Sequence, residues 1–184
     1  MEVGDQSFSC LSVLLAGSHR EAFAEALFSD FKFKNSLITG LNAGDASAIR
    51  VASRLISLSS SIVQVREYCA VLIDTLQTTS SESHVCAVYV ALNKYRKTCG
   101  FLINGKLGII VNGVTEGKIL FAVLLQRLME IGDREAAAKG AEILNKNIED
   151  PEMKQALRHG LLRALRYREI ATLAEVKSFG TTVL

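Results

Sequence analysis

Residues 45 to 76, DASAIRVASRLISLSSSIVQVREYCAVLIDTL, constrain the fold more than any other stretch. Val51, Leu55, Leu58, Ile62, Val65, Cys69, Leu72 and Leu76 recur at alternating spacings of four and three. Successive helical residues turn by about 100°, so this spacing draws a narrow apolar seam along one face. Asp45, after Gly44, is a favourable N-cap, because its short carboxylate can accept from the free amides of the first turn. The serines at 59 to 61 lower helix propensity but keep the register. The spacing therefore predicts one long helix built to pack in a bundle. A charge placed in the seam by Leu58→Asp is then expected to unfold the bundle.

The flanking sequence is similarly poor in helix breakers, with Pro151 the only proline in 184 residues. An apolar share of 49% and a charged share of 22% describe a globular chain that can bury a real core. The expected fold class is all-α, a helical bundle of about six to eight helices. Residues 6 to 16 fit a short helix. SHREAFAEALFSD fits another, capped by Ser18 with Glu21 completing a capping box. KNSLITGLNAGD reads as a Gly- and Asn-punctuated connector. After the long helix, QTTSSES opens the helix SHVCAVYVALNKYRK.

CGFLINGKLGIIVNGVTEG holds five glycines and two Asn-Gly pairs. Its FLI and GIIV runs suit a hairpin, and a buried helical loop is the alternative. The reading adopted is a tight turn region. It gives an N-terminal helical half over 1–99, a Gly-rich connector over 100–117 and a C-terminal helical half over 118–184. A helix is expected from Thr115 to Ile131, stopped by Gly132, and another over GDREAAAKGAEILNKNI. The last starts at the Asp150 cap, with Pro151 in its first turn, and runs to about Lys177. HREAFAEALF and DREAAAKGAEIL echo each other, each followed by an aspartate-capped, arginine-bearing helix. Matches this short and Ala-rich arise easily by chance, so two similar helical halves stay a secondary reading.

Catalytic and metal chemistry find little support. Gly100 to Lys106 nearly matches the phosphate-cradling loop GxxxxGK[ST], but Leu107 stands where the magnesium-binding hydroxyl belongs. His84, Cys86 and Cys99 offer zinc-type donors without a second CxxC or HxxxH. No carboxylate pair stands out in an apolar setting. The expectation is a non-enzyme with no catalytic residue, no cofactor and no metal. Cys10, Cys69, Cys86 and Cys99 form no CxxC pair, which suits a reducing compartment. FSCLSVLLA follows Glu2 and Asp5 rather than cations, a poor signal peptide, and no uncharged run spans a bilayer. A soluble cytoplasmic protein with no membrane partner is expected.

Charge is the more informative signal. The net charge of +2 hides a segregation of sign. From Ser83 to Thr115 there are Lys94, Arg96, Lys97 and Lys106 and no acid. From Phe31 to Arg66, Lys32, Lys34, Arg50, Arg54 and Arg66 face Asp45 alone. From Glu130 to Glu152, seven acids outnumber Arg134, Lys139 and Lys146. Such segregation suits partner contacts or self-assembly. RHGLLRALRYRE, residues 158 to 169, carries four arginines before its first acid, Glu169. On a continuous helix, Met153, Leu157, Leu161, Ala164, Ala171 and Ala174 form the buried face. His159, Arg163, Arg166 and Lys177 form a basic stripe, flanked by Lys154, Arg158 and Arg168. Lys94-Tyr95-Arg96-Lys97 and Arg166-Tyr167-Arg168 interleave tyrosine with cations, a pattern that suits phosphates and stacked bases. Arg50 and Arg54 add a pair one turn apart. The candidate nucleic-acid-binding residues are thus Arg50, Arg54, Lys94, Arg96, Lys97, Arg158, Arg163, Arg166 and Arg168. No sequence-reading motif accompanies them, so salt-sensitive backbone binding is the expected form. The plain alternative is a solvated outer helix face.

In size, helicity, two-part layout and the RHGLLRALRYRE helix, the chain resembles the RNA-silencing suppressors of plant closteroviruses. The resemblance spans the whole chain and carries no individual residue across. It implies a ring-like homo-oligomer that binds RNA, small duplexes included, without sequence preference, and sequesters silencing RNAs in the host cytoplasm. The alternative is a non-enzymatic helical adaptor or scaffold that binds protein partners, a host protein among them, through its apolar seam. Sign segregation would then drive head-to-tail self-assembly. Under RNA binding, Arg158, Arg163, Arg166 and Arg168 should line one groove with other cations. Under the adaptor reading they should be dispersed or paired with acids.

Overall fold

The apolar seam forms helix, but in two pieces. In the computed structural model, which describes residues 4–78, 81–146 and 148–177, the chain is all-helical, and no strand occurs among these residues. The α-helices are α1 (Gly4–Leu14), α2 (Arg20–Ser29), α3 (Phe31–Asn42), α4 (Ala46–Leu58), α5 (Ile62–Asp74) and α6 (Glu82–Lys94). They continue with α7 (Arg96–Asn104), α8 (Leu107–Thr115), α9 (Ile119–Glu130), α10 (Arg134–Asn145), α11 (Pro151–Ala164) and α12 (Arg168–Ala171). The chain divides into two compact units, Met1–Leu102 and Ile103–Leu184, with the boundary inside α7.

Three consecutive serines explain the break in the seam. Ser59 leaves the helical region, with ψ 140°, and its hydroxyl lies 2.8 Å from the Ile56 carbonyl. Ser61 then caps α5 by accepting from the Val63 amide, and the Gln64 side chain reaches back to the Ser61 amide as a capping box. Serine hydroxyls compete with helical hydrogen bonds, and three in a row outweigh a continuous apolar pattern. Val51, Leu55, Val65, Cys69, Leu72 and Leu76 are fully buried, whereas Leu58 and Ile62, beside the break, are half-buried.

Two expected connectors are helical. α3 occupies the stretch read as a Gly- and Asn-rich linker, capped by Asp30, whose carboxylate accepts from the Lys32 and Phe33 amides. Leu37 and Leu41, one turn apart, are buried by it. A Cβ on Gly40 would sit 2.8 Å from the Ala48 Cβ, so this glycine permits close packing of α3 on α4. The Gly-rich segment expected to turn forms α7 and α8 instead. A Cβ on Gly113 would lie 2.4 Å from Cγ of Phe121 in α9. α8 ends at Thr115 and is followed by Gly117 (φ 81°), so α9 starts at Ile119 rather than near Thr115. The Ser18 cap does not form: His19 precedes α2 without a side-chain capping bond. The expected final helix ends early, at Ala164, and the chain turns through Leu165–Tyr167 before α12. These changes raise the helix number above the six to eight expected.

In the first unit α4 is central, burying Ile49, Val51, Ala52, Leu55 and Ile56 and packing on α1, α3, α5 and α6. In the second, α9 is central and packs on α8, α10 and α11. α3 stands between the echoing α2 and α4, whereas residues 146 to 150 alone join α10 to α11.

His84 is buried at the start of α6, where its Nε2 lies 2.6 Å from the Leu72 carbonyl and donates to it. Burial pushes its pKa below the ordinary 6.5, against the opposing pull of the Leu72 carbonyl. The unfolded chain takes up this proton near pH 6.5, the folded chain only at lower pH. Stability is therefore full above that value and is lost as pH falls through the folded pKa. The denaturant midpoint should drop between about pH 7.5 and about pH 5.5, and His84→Gln should flatten the drop. An equal drop in the variant would assign the pH dependence to other groups.

Candidate nucleic-acid interface

In the first unit the candidate cations lie on α4, at the end of α6 and at the start of α7. Arg50, Arg54 and Ser57 are exposed at positions i, i+4 and i+7, one face of α4. Lys94 Nζ reaches across from α6 and donates to the Ser57 carbonyl. A cation at a helix C-terminus meets unpaired carbonyls and the negative end of the dipole, so this contact also closes α4. Partial burial holds the Lys94 pKa below its ordinary value. The neighbouring Tyr95 turns inward. Its hydroxyl lies 2.6 Å from Ser59 Oγ and 3.2 Å from the Ser59 carbonyl. Tyr95 thus serves the α4–α6 junction, leaving Arg96 and Lys97 exposed at the start of α7.

In the second unit, Lys154, Arg158, His159 and Arg163 line one open hollow along the outer side of α11, together with Leu162. Arg163 Nε donates to His159 Nε2 at 3.3 Å. The inner side carries Met153, Leu157, Gly160, Leu161 and Ala164, all buried, as the helical spacing predicts to that point. Beyond Ala164 the predicted faces fail because the helix has ended: Ala174 is exposed, while Ile170 and Val176 are buried. The expected basic stripe therefore stops short of Lys177.

The Arg166-Tyr167-Arg168 cluster is split by that turn. Arg166 Nη2 donates to the Glu130 carbonyl at the end of α9 (2.5 Å) and to the Tyr167 hydroxyl (2.9 Å). The Tyr167 hydroxyl donates to the same carbonyl at 3.3 Å. The Tyr167 ring is held between the Arg166 guanidinium, 4.9 Å from its centroid, and Gly132, where a Cβ would lie 2.9 Å from Cζ. Arg166 and Tyr167 thus close α9, and Arg168 alone of the three faces outward freely.

Electrostatic partners separate the cations into two groups. Arg54, Arg96, Lys97, Arg158 and Arg168 have no hydrogen-bond or ion-pair partner among the described residues, and Arg50 donates only to Ser47 Oγ. Glu130, Asp133, Glu142 and Asp150 of the second unit are engaged elsewhere. Burial would raise the Glu130 carboxyl, but bonds from Gln126 and Arg127 and the charges of Arg127 and His159 hold it below its ordinary value. Lys146 and Lys139 close on Glu142 at 2.8 and 3.0 Å and bring its pKa to about 2. Asp133 and Asp150 cap α10 and α11.

The weak zinc constellation is dispersed. His84 faces Leu72, Cys86 is exposed, and Cys99 is buried beside Cys69, whose thiol is pushed up by a hydrogen bond with Cys99 and by burial. Sequence reasoning missed Phe101, Leu162 and Leu165, which are 83%, 57% and 39% exposed beside the cations. Helical spacing places Phe101 one turn from Lys97, but the glycines of the segment point to a turn and hide it. No helix among the described residues is long and apolar enough to cross a membrane. No family model, curated protein or solved structure matches this chain.

Proposed function

We propose that this chain binds the phosphate backbone of RNA, without reading sequence, through the exposed cationic faces of α11, α4 and the start of α7. One observation carries the reading: Arg54, Arg96, Lys97, Arg158 and Arg168 are exposed and have no ion-pair partner among the described residues. Such cations gather a counter-ion atmosphere, and a polyphosphate that replaces it gains affinity in a salt-dependent way. Sequestration of silencing RNAs by a homo-oligomer is the biological role that accompanies this chemistry in the resemblance. Leu162 on α11 and Leu165 just after it, both exposed, offer apolar area for self-association. A second reading, a helical adaptor for protein partners, draws on those leucines and on Phe31 and Val63, which are also largely exposed.

The test is a gel-shift titration with a short RNA duplex and a DNA duplex of equal length, across salt. The expected result is RNA binding that weakens steeply as salt rises. Arg158→Ala with Arg163→Ala should lower the salt slope by about two and leave helicity intact, since both side chains are exposed. Arg166 is excluded from the test because its loss would also open the end of α9. Absence of binding at low salt overturns the reading and directs attention to protein partners.

A further inference from the structure

We infer that Phe101 and Lys97 on α7 form a base-stacking step, so that the cationic patch of the first unit takes single-stranded nucleic acid. This rests on the phosphate-binding reading and specifies its substrate. Lys97 and Phe101 are both exposed and four residues apart, one turn along the same face of α7. The opposite face carries Cys99, which is fully buried. A phenylalanine that is 83% exposed one turn from Lys97 presents a free π-face next to a cation.

The surroundings select the occupant. No carboxylate lies between Ser83 and Thr115, and none lies within α4. A protein partner bringing its own cations would find no acid on these helices to pair with them. A strand of nucleic acid supplies both complements at once: phosphates for Lys97 and Arg96, and unpaired bases for the ring. A duplex supplies only the first, because its bases are stacked on one another. Tyr95 and Tyr167, the aromatics that the sequence pattern places among cations, are held by Ser59 and by Glu130, Arg166 and Gly132. Phe101 is the aromatic left open beside these cations.

The test uses the full chain with a fluorescein-labelled oligoadenylate, an abasic strand of equal length and an RNA duplex. Phe101→Ala should weaken oligoadenylate binding about tenfold, the value of one stacked base. Abasic-strand and duplex binding should be unchanged. The chain has no tryptophan, so Phe101→Trp installs a single reporter whose emission should be quenched by oligoadenylate and not by the abasic strand. Equal binding by wild type and Phe101→Ala, without quenching in the tryptophan variant, overturns the stacking step and leaves phosphate binding standing. Failure of the wild type to bind any of the three probes removes the phosphate-binding reading itself. Loss of self-association in Phe101→Ala, with oligoadenylate binding intact, reassigns the ring to a protein contact.

Discussion

Leu55→Asp should abolish the cooperative fold of the first unit. Leu55 is fully buried at the centre of α4, the helix on which α1, α3, α5 and α6 pack. The substitution removes a core side chain and buries a carboxylate with no cation in reach on its own helix face. The two effects together cost at least about 5 kcal/mol, comparable with the whole stability of a domain this size. Loss of slow amide hydrogen exchange over residues 46–58 and 82–94 would register it. Leu58→Asp, which the uninterrupted seam makes equivalent, should cost only about 1–3 kcal/mol. Leu58 is half-buried because the chain leaves the helix at Ser59. Equal damage from the two substitutions would mean that α4 and α5 are one helix after all.

Gly160→Leu should disrupt the second unit to a similar degree. A Cβ on Gly160 would lie 2.7 Å from Met129 Cε, 2.9 Å from Gln126 Cα and 3.0 Å from the Gln126 carbonyl oxygen. Met129 can move its thioether, but the backbone of α9 cannot yield without shifting the helix. Met129 is also pressed from α10, where a Cβ on Gly140 would lie 2.5 Å from its Sδ. The two glycines bring three helices to close range around one flexible side chain. Overpacking by a leucine should cost about 3 kcal/mol or more, read as a lower denaturant midpoint. Gly108→Ala is the control, because a Cβ there meets nothing within 4 Å. It should leave stability unchanged or raise it by up to about 1 kcal/mol. Destabilisation by both variants would point to backbone effects rather than to contact with α9.

The helices most legible in the sequence are those whose stop signals and apolar period agree. α10 begins after Gly132 (φ 91°) and the Asp133 cap, and α11 after Asp150 with Pro151 in its first turn. Where the two signals conflict, neither wins everywhere. The apolar period runs through Ser59 to Ser61, yet the serines end the helix. Gly40 and Gly113 are turn signals, yet helices form around them. The physical difference is context: a serine break is local chemistry, whereas a glycine is tolerated when its missing Cβ lets another helix approach. That second helix is invisible in a linear pattern.

The candidate site divides in the same way. The sequence by itself determined that the chain is helical, that its charges are segregated, and which cations have no acid near them along the chain. It also determined the inner face of α11 as far as Ala164. Tertiary structure alone decided which cations remain available. Lys94 and Arg166 close the ends of α4 and α9, because helix C-termini expose carbonyls that attract the nearest donor from a packed neighbour. Tyr95 and Tyr167 follow them inward, while Phe101 stays outside because Cys99, on the opposite face of α7, is buried. Composition sets the number of charges, but the packing of one helix end against another decides which of them can meet a partner.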